Sequence, residues 1–492
     1  MKTIVLGTNH AGTTVVRTLK RLDPKMEVVT YEKNDNISFL GCGIALWVKG
    51  EVKDPNGLFY ATPEILKSEG IKSKMNHEWV AINTKKKTVT IKDLKTGKEF
   101  DDKYDKLVLA TGSWPIVPPI PGIESKGVQI CKNYGHAKKI QAANNDAKLK
   151  KVTIVGAGYI GVELVEAFRS KGKQVTLIDI ADRIIPNYYD KEFTDLMEEK
   201  MTKAGVKLEL GQKVIEFKAD KNGNVKSVVT DKKEIPSDYV IFSVGIKAQS
   251  ELLKGQIELS ERGAIKANEF MQTSNKDIYA VGDCVEVFNK AMDQSMQIAL
   301  ATTAVRTGII AAMNIVKGNK MASPGFTGAN GIEVFNLKMA SVGISEESAK
   351  RFKMDVESIS LSDNDRPEFM STVSPVWFKV IWDKKTRKIV GAQVASEKNH
   401  TEIMYMFALA IQKGLTIDEL PLVDIFFLPH FNKPYNFITL AGLEAAGLNY
   451  FKKDKKSATK KSATKPSTKK PISKKAPAKK SATKSVKKSV KK

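Results

Sequence analysis

Residues 151–179 read KVTIVGAGYIGVELVEAFRSKGKQVTLID. The opening five residues form a short apolar run that predicts a buried strand. Gly156-Ala157-Gly158-Tyr159-Ile160-Gly161 follows as a G-x-G-x-x-G fingerprint and opens a helical pattern reaching about Lys171. Gly156 permits a tight turn, Gly158 lets a pyrophosphate approach the backbone, and Gly161 allows close helix–strand packing. The helix N-terminus adds free N–H groups and a positive dipole end for phosphates. A second apolar run, 174–178, ends at Asp179, where a carboxylate accepts the adenosine ribose 2′-hydroxyl. An acid there disfavours a 2′-phosphate, so NADH is the expected ligand, with Arg183 nearby keeping NADPH open. Tyr188 and Gly245 are assigned to the same nucleotide site.

The pattern recurs at the N-terminus. Residues 2–6 (KTIVL) form a strand ending at Gly7, a helical pattern runs through Leu22, and 28–31 is a strand ending at Glu32. Gly7-Thr8-Asn9-His10-Ala11-Gly12 is a degraded fingerprint with Asn9 in place of the middle glycine, and Glu32 repeats the ribose-binding logic. Two such units imply two nucleotide sites. Residues 106–112 (KLVLATG) bring Ala110, Thr111 and Gly112, followed by Ser113, to the end of another strand. In 273–283 (TSNKDIYAVGD), Asp283 stands where it could hydrogen-bond a flavin's ribityl chain. Pro115, Pro118, Pro119 and Pro121 mark an extended linker. After Pro324 the pattern turns to strands at 377–381 and 389–394, then helices at 402–412 and 417–420. The expected class is α/β, with two Rossmann-like dinucleotide-binding domains and a C-terminal α+β domain.

The chain has 492 residues, 80 Lys+Arg, 55 Asp+Glu, a net charge of +25 and 3 cysteines. The charge is unevenly spread. Residues 452–492 hold 18 lysines and one acid, Asp454, and repeat KKSATK from Lys455, Lys460 and Lys479. One-sign charge with little hydrophobicity predicts a disordered basic tail. Such a tail suits non-specific binding to nucleic acid or another anionic surface through phosphate neutralisation. The other 451 residues are only mildly basic, with 62 basic against 54 acidic side chains. No apolar run reaches the roughly 20 residues of a membrane span, and the N-terminus lacks a signal-peptide layout. Cys42, Cys131 and Cys284 are too scattered for a disulfide framework or zinc site, so a reducing, cytoplasmic setting is expected.

With both fingerprints, Ala110-Thr111-Gly112 and Asp283 in order, the sequence resembles the FAD-dependent pyridine nucleotide-disulfide oxidoreductases. The resemblance implies an FAD-binding domain in two parts (1–115 and 248–324), an NAD-binding domain (116–247) and a homodimerisation domain (325–451). Disulfide reductases of this group place a C-x4-C pair beside the flavin. Here SFLGCGIALW (38–47) supplies Cys42 but puts Trp47 at the second position, which excludes a dithiol mechanism. Cys42 lies between glycines and precedes an amphipathic helix, a setting expected to expose the sulfur and favour thiolate.

A lone flavin-facing cysteine is similar to the water-forming NADH oxidases and NADH peroxidases. That branch implies FAD and NADH as cofactors, O2 or H2O2 as oxidant, a Cys42 thiolate/sulfenate centre and His10 as its acid–base partner. The expected function is water-forming NADH oxidase, with NADH peroxidase second and coenzyme A disulfide reductase third. His430, in FFLPHFNKP (426–434), resembles the segment that reaches the partner subunit's flavin, and an interface role is equally open.

Overall fold

The computed structural model describes residues 1–448. The 452–492 tail expectation therefore lies outside the described residues. Three five-stranded sheets organise the rest.

The first sheet runs Ile278–Ala280, Lys106–Leu109, Lys2–Leu6, Glu27–Glu32 and Lys72–Met75, all parallel. Its central strand is buried on both faces, as the unbroken apolar run requires. Helix His10–Leu22 crosses over it and buries Ala11, Val15, Val16 and Leu19, a spacing that lines one helical face. Lys20 and Arg21 occupy its last turn, where cations favour the negative dipole end. Helix Ala301–Lys317 packs against it, and Gly308 admits the Ala11 carbonyl so closely that a Cβ would stand 2.9 Å from that oxygen.

The second sheet runs Lys207–Glu209, Gln174–Ile178, Lys151–Val155, Tyr239–Phe242 and Val128–Ile130, again parallel. Helix Tyr159–Arg169 buries Val162, Leu164, Val165 and Phe168. Each fully buried side chain of this size contributes about 1.5–3 kcal/mol. Ser113–Pro115 and Ile246–Ala248 pair antiparallel, so the two linkers between the parallel sheets form one ribbon.

The third sheet is antiparallel, in the order Asn330–Val334, Leu337–Gly343, Ile389–Ser396, Pro375–Asp383 and Val356–Asn364. Helices Ile403–Lys413 and Phe437–Ala445 supply its buried apolar partners, Phe407 and Phe437 both meeting Phe378. The α/β class with two Rossmann-like sheets and a C-terminal α+β unit is as the sequence implies. One local expectation fails. Residues 417–420 are not a helix; a single tight turn, Leu420–Leu422, stands there instead. Pro421 explains it, because proline disfavours helical backbone at the residue before it. Among the described residues no helix is long and apolar enough to cross a membrane.

Candidate active site

The carboxyl ends of the first sheet open on a cleft. Gly7, Thr8, Asn9, His10, Ala11, Glu32, Ala110, Thr111, Gly112, Ser113 and Asp283 all line it. Gly12 does not, because it serves packing: a Cβ there would sit 1.9 Å from the Gly7 carbonyl oxygen. Gly7 has φ +93°, and its own Cβ would meet the Ala110 carbonyl oxygen at 2.4 Å. The first turn of the helix is thereby pressed onto the strand ends. Glu32 is buried at the end of its strand, accepting from the Thr8 N–H and the Asn34 N–H, each at 2.9 Å. Asn9 caps the helix without a side-chain bond of its own, which leaves its amide available to a ligand. Opposite, Asp283 accepts from Ser113 Oγ at 2.8 Å, and Lys132 Nζ lies 3.0 Å from Ser113 Oγ and 3.5 Å from Asp283. Lys132 was not singled out from sequence; no motif surrounds it.

His10 is the first residue of its helix and half-buried in the cleft wall. Its Nδ1 hydrogen-bonds Tyr60 Oη at 3.1 Å, and the two rings stack 5.7 Å apart. Burial lowers its pKa, Lys132 lowers it further, and Asp283 pulls the other way.

Cys42 occupies a tight turn, Gly41–Gly43, ahead of helix Ile44–Lys49, and its side chain is exposed. It opens on a second cleft, shared with Leu46, Glu163, Glu166, Glu333 and Lys338. The structure weakens the support that the following helix lends to the thiolate expectation. The helix is only six residues long and its cap is Gly43. The walls around the open sulfur remove much of its solvation and push the thiol pKa up, and Glu163 and Asp283 add repulsion. A backbone hydrogen bond and Lys132 oppose this without reversing it. His10 and Cys42 share Asp283 and Lys132 as charged neighbours, but no hydrogen bond joins the two side chains.

Glu163 was missed from sequence. Desolvation raises its pKa to about 7. It stands one turn after Tyr159 on the same helix face, a spacing that could have been read. Cys131 and Cys284 are both buried, and Cys284 Sγ donates to the Leu109 carbonyl at 3.4 Å. Trp47 is 8% exposed and packs against Tyr134, so the position five after Cys42 belongs to the core.

At the second sheet, the three fingerprint glycines separate by role. A Cβ on Gly156 would meet the Ser243 carbonyl oxygen at 2.5 Å, and one on Gly161 the Gly156 carbonyl oxygen at 1.9 Å. A Cβ on Gly158 would meet nothing within 4 Å. Protein packing therefore accounts for two of the glycines, and the third leaves a space the chain itself does not fill. Asp179 accepts from the Ala157 N–H at 2.5 Å and the Ala181 N–H at 2.8 Å, which puts its carboxylate beside that space. Ile160 is exposed at the helix start, and Tyr159 meets Tyr188 edge-on at 4.8 Å. Gly245, with φ +66°, lies in the ribbon between the sheets and accepts from the Ile116 N–H. Arg183 is unavailable to a 2′-phosphate: it is 6% exposed, donates to the Tyr189 carbonyl and pairs with Glu347.

Residues 1–308 match the family model described as pyridine nucleotide-disulphide oxidoreductase, and residues 331–435 match its dimerisation domain. The chain belongs to this family. Its 98% coverage of an Enterococcus faecalis NADH oxidase, at 46% identity over 440 residues, takes in 89% of the chain. The solved water-forming NADH oxidase of Lactobacillus brevis, bound to NADH, superposes with a TM-score of 0.88 at 39% identity, covering 91% of this chain and 98% of that one. A Pyrococcus horikoshii NAD(P)H coenzyme A polysulfide/persulfide reductase is more distant, 32% identical over 87% of this chain and 95% of its own. In the dimerisation domain, Leu422, Phe426 and Phe431 are 82%, 69% and 58% exposed, a large apolar edge on one protomer. His430 is exposed within the same segment.

Proposed function

We propose that this protein is a water-forming NADH oxidase that acts through FAD and a Cys42 thiolate/sulfenate centre. The observation that carries the reading is the accessible Cys42, with Trp47 buried where a second thiol would stand. The similarity to proteins named NADH oxidase supports it. In the family division, residues 1–115 and 248–324 form the FAD domain, 116–247 the NADH domain and 325–451 the homodimer interface.

The cleft of the first sheet suits FAD, with Glu32 for the ribose, Asn9 and the helix start for the pyrophosphate, and Ser113 and Asp283 near the ribityl chain. The Gly158 space beside Asp179 suits NADH, since a carboxylate there and an occupied Arg183 both disfavour a 2′-phosphate. FAD, when bound, accepts electrons from NADH and passes them on, while the protein fixes geometry and electrostatics. Cys42 thiolate would take one oxygen atom of O2 as sulfenate while the other leaves as water with the electron pair of the first NADH. The electron pair of the second NADH, with two protons, would return it to thiolate and release the second water. Sulfenate is the reversible first rung of cysteine oxidation, which suits a centre that must return to thiolate in every cycle. His10 holds a proton for this exchange at Nε2, its Nδ1 being taken by Tyr60. The net reaction is 2 NADH + 2 H⁺ + O2 → 2 NAD⁺ + 2 H2O.

A cytoplasmic setting and homodimer accompany this reading, and the 452–492 segment is proposed to hold anionic polymers such as DNA without sequence readout. An oxygen electrode tests the main reaction. Two NADH per O2, with no oxygen returned by catalase, is the expected result. Faster NADH oxidation by H2O2 than by O2 would instead assign a peroxidase.

A further inference from the structure

Asp190 is the N-cap of helix Lys191–Lys203 in the nucleotide-binding half, yet its carboxylate makes no cap bond to that helix. It reaches across to the C-terminal domain instead. There it accepts from the Glu346 and Glu347 N–H groups at 3.2 and 3.3 Å, the first turn of helix Glu346–Arg351. Gln393 Nε2 donates to the same carboxylate at 2.8 Å, and Gln393 Oε1 accepts from the Asp190 N–H at 2.9 Å. Lys379, paired with Gln393 on the neighbouring strand, is 2% exposed. Its Nζ lies 3.0 Å from Asp190, 2.8 Å from Glu192 and 2.7 Å from Glu346. A carboxylate at this position ordinarily caps its own helix. Here it caps a helix of another domain, on a bed of one lysine and one glutamine rooted in the third sheet.

The segment that ends at Asp190 begins at Asp179, and it carries Arg183, Tyr188 and Tyr189. Arg183 and Tyr189 are tied to the same C-terminal surface, and Tyr188 packs edge-on against Tyr159. Arg183 pairs with Glu347, and the hydroxyls of Tyr159 and Tyr189 both reach Asn330 Oδ1. A buried ion cluster is weak evidence for stability, since well-packed apolar residues often serve equally well. A cluster whose members come from two domains instead fixes where one stands relative to the other.

We propose that Lys379 is a positioning residue for NADH: through Asp190 it anchors the 180–190 segment, and with it Tyr188 and the Asp179 end, onto the C-terminal sheet. The proposal rests on the reading of the Gly158 space as the NADH site. Removing the Lys379 ammonium leaves three carboxylates facing one another. That strains the remaining ties of Asp190 to Gln393 and to the Glu346 and Glu347 N–H groups and loosens the segment, while the fingerprint turn is untouched. Residues linking two elements in this way change a neighbouring site's affinity by roughly 2- to 30-fold.

The test uses full-length, FAD-loaded protein, with NADH KM from steady-state rates and ADP-ribose affinity from calorimetry. Lys379→Met should raise both NADH KM and ADP-ribose Kd by about tenfold, the change falling on KM rather than kcat. Lys379→Arg, which keeps the charge, should recover most of the affinity. Asp190→Ser guards against simple misfolding, because serine is a good cap for its own helix. It should melt near the parent temperature and still weaken ADP-ribose. Unchanged ADP-ribose affinity in Lys379→Met and Asp190→Ser, while Asp179→Asn weakens it, overturns the proposal. Unchanged affinity in Asp179→Asn as well overturns the NADH-site reading beneath it.

Discussion

Alanine at Gly158 and alanine at Gly161 should fail in opposite ways, although the two glycines belong to one motif. At Gly161 a Cβ would stand 1.9 Å from the Gly156 carbonyl oxygen, inside any tolerable contact, so the helix must retreat from the turn. Overpacking of this kind costs about 3 kcal/mol, enough to lower the domain's melting temperature by roughly 6–12 °C. At Gly158 the backbone has φ −77° and ψ −174°, which alanine adopts freely, and no atom lies within 4 Å of the new Cβ. The loss is then only that of a poorer N-cap, about 0.5–1 kcal/mol or a few degrees. The methyl group instead stands where a pyrophosphate would approach. A clash worth about 1.5–3 kcal/mol there raises NADH KM roughly 10- to 150-fold. Thermal melts of the FAD-loaded variants, paired with steady-state KM, read both effects. If Gly158→Ala melts as low as Gly161→Ala, or leaves NADH KM unchanged, the separation of packing from binding is wrong.

The further outcomes concern charge. In FAD-free protein, the iodoacetamide reactivity of Cys42 should rise with pH later than for an ordinary thiol, because burial and Glu163 disfavour thiolate. Glu163→Gln should move that profile to lower pH by removing a repelling carboxylate. Lys132→Met should move it to higher pH, and should also raise the His10 pKa followed by NMR, because the lysine disfavours the imidazolium. Truncation after Tyr450 should abolish salt-sensitive retention on a DNA column and leave NADH turnover unchanged.

What could be read in the sequence was what local geometry dictates. Gly161 answers to the Gly156 carbonyl within one turn, and Asp179 accepts from the Ala157 N–H of that same turn, so spacing alone placed them. Gly156 is pressed by Ser243 from a distant strand, which spacing does not reveal. The Cys42 environment was not readable in this way. Its flanking glycines and following helix suggested thiolate, but the surrounding walls strip solvation from the sulfur, and Glu163 and Asp283, arriving from distant segments, add to that opposite direction. Arg183 looked free for a phosphate because its partner Glu347 lies far along the chain. Asp190 drew no attention in the sequence, because its partners Glu346, Lys379 and Gln393 lie far along the chain. The departure at 417–420 is local: Pro421 has no N–H to bond back to the Ile417 carbonyl, and a single turn, Leu420–Leu422, stands in place of a helix.

The most direct test of the account is the NADH-to-O2 ratio of Cys42→Ser. Without the sulfur, the second oxygen atom has no acceptor, so the variant should consume one NADH per O2 and release H2O2 that catalase returns as oxygen. The parent enzyme should consume two and release none. A Cys42→Ser enzyme that still consumes two NADH per O2 and makes only water contradicts the central role of Cys42.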